Sequence, residues 1–170
     1  MHTSVSSRIS VSEIVQLAAL TAIMIATKEI MNLLPNIHLT TTFIILGAML
    51  YGWKVLYAVF GFVVVQGLLY GFGSWFFMYL YSWPICAILA VLFRQSRSRF
   101  FWAAFAGLQG LTFGALCSIT YLFIGGFQTM LAYWVAGIPF DLIHGASNAV
   151  VAFVLLMPLY QLVNKIRSQT

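Results

Sequence analysis

The chain has 170 residues, 62% hydrophobic and 6% charged, with eight Lys and Arg against three Asp and Glu, a net charge of +5 and a mean hydropathy of +0.99. A soluble domain of this length would carry roughly 40 charged residues, so a soluble globular enzyme is excluded. At roughly 20 apolar residues per crossing the chain holds five or six membrane-spanning helices, and its continuous apolar runs argue against a β-barrel.

In chain order, the polar stretch Met1 to Ser12 leads straight into an apolar run and has no small-residue cleavage site, so no removable signal peptide is expected. The first helix is predicted from about Ser12 to Leu34, with Ser12 as its N-cap. The second runs from Leu39 to Tyr51 and the third from Val55 to Tyr70, with Gly52-Trp53 as the only break between them. The fourth covers Trp75 to Phe93, the fifth Phe100 to Ile124 and the sixth Trp134 to Val163. The expectation is an all-α polytopic membrane protein: one six-helix domain over residues 1–170, with a cytoplasmic segment at 1–11 and a cytoplasmic tail at 164–170.

The charges orient this drawing. With the N-terminus in the cytoplasm, Arg8, Lys54, Arg94, Arg97, Arg99, Lys165 and Arg167 all fall inside, and only Lys28 falls in the outer half. Six spans with both ends inside therefore fit the positive-inside rule, and five do not. The same rule gives the basic residues a role that requires no nucleic acid. The outer connections are Pro35 to His38, Gly71 to Ser74 and Gly125 to Tyr133. Trp75, Phe76, Phe77, Tyr79, Tyr81 and Trp83 crowd the outer end of the fourth helix, either as an interfacial aromatic belt or as a lid over a ligand.

Chemistry-bearing motifs are scarce. Lys28, Lys54 and Lys165 follow Thr27, Trp53 and Asn164, whereas a P-loop needs Gly before its Lys. There is no HExxH and no paired-carboxylate motif. Cys86 and Cys117 sit alone in apolar runs and read as core residues. A rhomboid-like protease would pair Ser74 with His144, but Gly71-Phe72-Gly73-Ser74-Trp75 lacks the small residue that such a motif wants after Ser. No catalytic residue, metal ligand or intrinsic cofactor is expected.

Three features remain. Ala18, Ala22 and Ala26 recur every four residues and form a flat methyl ridge on one helix face, either for a partner helix or for packing within the bundle. Ala106, Gly110 and Gly114 make a similar ridge that reads as internal packing. Asp141, His144 and Asn148 are spaced three and four, so they share a face. That face must point inward, because an ionised Asp at mid-membrane costs on the order of 3 kcal/mol. It serves either as a ligand-binding stripe or as a structural pair in which Asp141 holds His144. Lys28, Glu29, Asn32, Pro35, Asn36, His38 and Thr40 to Thr42 form the most polar stretch of the chain core, a plausible second wall of one outer pocket.

At these residues the sequence resembles the substrate-binding S components of energy-coupling factor (ECF) type ABC vitamin transporters. The likeness covers nearly the whole chain: length, six spans, the alanine ridge and the polar motif opening the sixth helix. Asn36-Ile37-His38-Leu39, Tyr70-Gly71-Phe72-Gly73-Ser74-Trp75 with Tyr79-Leu80-Tyr81, and Ile138-Pro139-Phe140-Asp141-Leu142-Ile143-His144-Gly145 look most like the cobalamin-specific S components of lactobacilli. The resemblance implies a multi-pass protein of the bacterial cell membrane. It implies a vitamin site in the outer loops and outer helix halves, for which Asn32, Asn36, His38, Tyr70, Trp75, Tyr79, Tyr81, Asp141, His144 and Asn148 are the candidates. It implies docking through Ala18, Ala22 and Ala26 on a transmembrane coupling subunit driven by two ATPase subunits, with the S component toppling to deliver its cargo. Cobalamin or cobinamide is the expected cargo; pyridoxine, pantothenate or a queuosine precursor would suit the same side chains.

Overall fold

The first helix begins where two side chains can exchange hydrogen bonds with the backbone. Ser10 Oγ accepts from Glu13 N at 3.2 Å, and Glu13 Oε2 accepts from Ser10 N at 2.9 Å. This capping box sets the start at Ser10 rather than at the expected Ser12, which has no Glu or Gln three residues on. The computed structural model describes residues 9–31 and 37–167. Within them the helices are α1 (Val11–Ile30), α2 (Thr40–Tyr51), α3 (Val55–Tyr70) and α4 (Ser74–Leu92). They are followed by α5 (99–124) and α6 (127–167). No strand occurs among the described residues. Four stretches are long and apolar enough to cross a membrane: Val11–Ile30, Thr40–Tyr70, Ser74–Leu92 and Arg99–Arg167.

Two glycine breaks divide the longer stretches. Gly52 has φ 57°, a left-handed conformation that costs a residue without Cβ little. It opens a single 3-10 turn, Gly52–Lys54, after which Val55 lies back against Gly47. Gly125 and Gly126 leave helical geometry, Gly126 at φ 77°, and separate α5 from α6. The outer connection expected over Gly125 to Tyr133 is thus only these two glycines. Residues 127–133 are helical, because nothing between Phe127 and Tyr133 stops a helix and no proline falls there. Farther on, α6 carries Pro139 inside the helix and loosens to a π turn over Ala152–Leu156.

Contacts between helices fix their directions. Tyr51 Oη donates to Gln16, so α2 runs against α1. Thr21 bonds Ala58 O and Gln66 bonds Glu29, so α3 runs with α1. Tyr81 bonds Leu116 O, and Asp141 accepts from Gly114 N, which sets α4 against α5 and α5 against α6. Asn148 meets Thr41 and Arg167 meets Leu50 O, so α6 runs with α2. The result is an up-down bundle. Lys54, Arg94, Arg97, Arg99, Lys165 and Arg167 belong to one end of it, and Lys28 belongs to the other.

Helix α2 is the centre of this bundle. Every residue from Thr40 to Met49 except Phe43 is buried. Its 12 residues span about 18 Å at 1.5 Å per residue, against about 30 Å of hydrocarbon. Trp83, Trp102 and Phe62 fill the core around it.

Helices α5 and α6 meet through their backbones. A Cβ on Gly110 would lie 2.6 Å from Gly145 N, and one on Gly107 would lie 3.2 Å from the Ala149 methyl. The Ala106, Gly110 and Gly114 ridge is internal packing, as its spacing suggests. Without a hydrophobic drive between helices in lipid, such close approach supplies the van der Waals attraction. Gly110→Val should therefore destabilise the purified protein by about 1–3 kcal/mol. Gly137→Ala is the control, since its Cβ meets nothing within 4 Å. Thermal melting in detergent should separate the two; equal melting temperatures would contradict this packing.

Candidate functional site

The recessed Thr40 end of α2 leaves space between α4, α5 and α6. There a cavity of about 450 Å³ is lined by His38, Tyr79, Phe113, Gly114, Cys117, Tyr133, Asp141 and His144, among others. Four of the expected site residues thus share one wall: His38 from the connection before α2, Tyr79 from α4, and Asp141 and His144 from α6. Asp141 fits because Gly114 has no side chain; a Cβ there would overlap the carboxylate. Asp141 Oδ1 accepts the Gly114 N–H at 3.0 Å, while Oδ2 is buried with no hydrogen-bond partner. The pairing of Asp141 with His144 is not made: His144 Nε2 is buried without a partner as well.

The imidazoles of His38 and His144 stand edge to face, centroids 4.4 Å apart. Phe113 packs on His144 at 5.2 Å, and Trp83 and Tyr79 continue the aromatic wall. His38, outside the helices, has its pKa lowered to about 4 by burial and by the Lys28 charge, so it is neutral at pH 7. Its Nδ1 also has no partner.

On the other side of Tyr79 lies a smaller cavity of about 250 Å³, lined by Lys28, Gln66, Tyr70, Trp75 and Tyr79. Here Glu29 gathers three donors: Gln66 Nε2 at 3.2 Å, Lys28 Nζ at 3.3 Å and the Tyr70 hydroxyl. Lys28 also sits 4.6 Å over the Tyr70 ring. Tyr70 and Trp75 therefore belong to this second chamber, and Tyr79 is shared.

The remaining candidates are dispersed. Asn148 lies deeper, fully buried, its Nδ2 donating to Thr41 Oγ1 at 3.2 Å. Tyr81 turns toward α5, where its hydroxyl donates to Leu116 O at 2.8 Å and lies 3.0 Å from Thr120 Oγ1. It borders an apolar groove with Phe72, Ser74 and Phe77 instead of the His144 cavity, so Ser74 and His144 are not brought together. Asn32 and Asn36 lie outside the described residues. Among the described residues, no group of three or more His, Cys, Asp or Glu is placed to hold a metal ion.

Ala18, Ala22 and Ala26 are all exposed on the outer face of α1. A groove lined by Leu17, Ala18, Thr21, Tyr57, Ala58 and Gly61 adjoins them. Sequence reasoning missed Phe113, Cys117, Tyr133 and Gln66. Of these only Gln66 stood out in the sequence, as a lone amide in the apolar run of α3; the others look like any apolar or interfacial residue.

Comparison of the chain with protein-family models, with curated proteins and with solved structures finds no match.

The Asn148–Thr41 bond joins α6 to α2 just below the cavity. Thr41→Val should leave Asn148 Nδ2 buried without an acceptor and cost about 1–3 kcal/mol. The check is the melting temperature of the purified protein, with Thr41→Ser as the variant that keeps it unchanged. Thr41→Val melting like the unaltered chain would contradict the bond.

Proposed function

We propose that this chain is the substrate-binding S component of an ECF-type importer in the bacterial cell membrane, with six spans and both termini cytoplasmic. It captures a vitamin at the outer end of the bundle and delivers it through a transmembrane coupling subunit driven by two separate ATPases. The observation that carries the reading is a pair of features: an aromatic, imidazole-lined cavity at the charge-poor end, and a bare alanine ridge on the outside of the same molecule. A cavity of this size suits capture of a small molecule. An uncovered small-residue face suits a partner helix approaching in lipid. Orientation is supported by the six basic residues at one end against Lys28 at the other.

Cobalamin or cobinamide is the first ligand to test. A cavity of about 450 Å³ is smaller than a whole corrinoid, which would need its walls to move apart. That volume favours a second reading, a smaller ligand such as the one-ring vitamin pyridoxine or a two-ring queuosine precursor. Purification without added ligand distinguishes them. A corrin absorbance band co-eluting with the protein supports the first, and tight binding of such a small heterocycle without any corrinoid supports the second. Saturating amounts of both kinds without binding would sink vitamin capture.

Three outcomes follow for variants. His144→Ala and Tyr79→Ala should each weaken binding by about tenfold or more, since each removes a polar or stacking contact. Affinity and melting temperature measured on one preparation check this; unchanged affinity in both would remove the site from this cavity. Ala22→Trp should bind ligand normally and lose uptake when combined with the coupling subunits, because the indole holds the partner helix away. Normal transport by that variant would make the ridge lipid-facing. Cysteines at Ser98 and Gln128, in a background lacking Cys86 and Cys117, should label from opposite sides of the membrane. Labelling of both from outside by an impermeant reagent would refute the six-span topology.

A further inference from the structure

We propose that the His38–Asp141–His144 cavity selects an uncharged or cationic molecule that turns N–H or O–H donors toward Asp141, and discriminates against carboxylates. The proposal rests on the capture reading above and names the ligand chemistry of that site. Three of the cavity's polar atoms are buried without a partner: Asp141 Oδ2, His144 Nε2 and His38 Nδ1. Asp141 is 7% exposed and His144 3%. Buried polar atoms are nearly always paired, so an occupant that supplies partners is strongly favoured over one that does not.

The kinds of partner are restricted. An ionised carboxylate oxygen only accepts, so Asp141 Oδ2 needs a donor. An imidazole nitrogen can donate or accept, but His38 carries no charge at neutral pH. Among the described residues no Lys or Arg lines this cavity, and Asp141 is its only acidic side chain. A ligand carboxylate here would face Asp141 in a low-dielectric surround with no cation between them, and like charges so placed repel strongly. Lys28, whose charge acts on His38, lines the other chamber. It is already 3.3 Å from Glu29 and lies over the Tyr70 ring. The rings of Tyr79, Phe113, His38 and His144 add flat walls, so the donors sit on a planar or ring-shaped body. An amide-edged corrinoid and a hydroxylated or aminated heterocycle meet these terms. Pantothenate does not.

The test uses the full chain purified in detergent and matched pairs of probes that differ in one carboxylate or in a set of them. The pairs are nicotinamide and nicotinate, pyridoxamine and 4-pyridoxate, panthenol and pantothenate, and cobinamide and cobyrinic acid. Binding is read by calorimetry and by thermal shift. In every pair that binds, the uncharged or cationic member should bind tighter by about a hundredfold or more. Asp141→Asn keeps an oxygen for the Gly114 N–H and nearly the same volume, and should narrow that gap to about tenfold or less. A carboxylate that binds as tightly as its partner overturns the proposal and leaves vitamin capture standing. No binding by any probe overturns the capture reading and this proposal together. An unchanged gap in folded Asp141→Asn also overturns it; the comparison within pairs uses the unaltered chain and decides the question even where that variant does not fold.

Discussion

The His38–Asp141–His144 cavity depends on a central helix that is short. Helix α2 is buried along almost its whole length, yet its 12 residues cover little more than half of a bilayer's hydrocarbon. One end of it is fixed at the Gly52 turn, so the deficit falls at the Thr40 end. The longer helices α4, α5 and α6 continue past it and enclose a volume that α2 does not fill. His144 and Asp141, on α6 beyond the level of Thr41, line that volume while they pack against α5 through Phe113 and Gly114.

A second constraint decides how closely the walls stand. Gly107, Gly110 and Gly114 let α5 reach the backbone of α6, which brings the Gly114 amide within hydrogen-bond distance of Asp141. In lipid a carboxylate has few ways to be held, and a backbone N–H exposed by a missing side chain is one of them. The same glycines that pack the hairpin therefore hold the charged group at the cavity wall. Packing and site are not separable along this stretch of α5.

Much of the architecture was legible in the sequence because apolar runs and basic turns repeat at the length of a helix. The α2–α3 break at Gly52-Trp53 and the inward face of Asp141, His144 and Asn148 both follow from spacing alone. What was not legible depended on three-dimensional partners. The start of α1 is the exception, legible in the capping-box spacing of Ser10 and Glu13 but not read from it. The stretch before Trp134 reads as a loop by its polar and aromatic residues, yet only Gly125 and Gly126 break the helix. Tyr81 shares the aromatic crowd with Tyr79, but the two are separated by two positions on a 3.6-residue repeat and so point to different sides of α4. The exposure of the alanine ridge was also undecidable from spacing, since a buried ridge on α5 has nearly the same pattern.

Tyr79 lines both chambers, so one aromatic side chain, held between Trp75, Trp83 and Phe113, belongs to both walls. A change of that side chain alters both spaces at once, while moving a helix would disturb the whole bundle. A chain that differed only at this position would keep the same backbone and the same hydrogen-bonding wall, yet present spaces of different size.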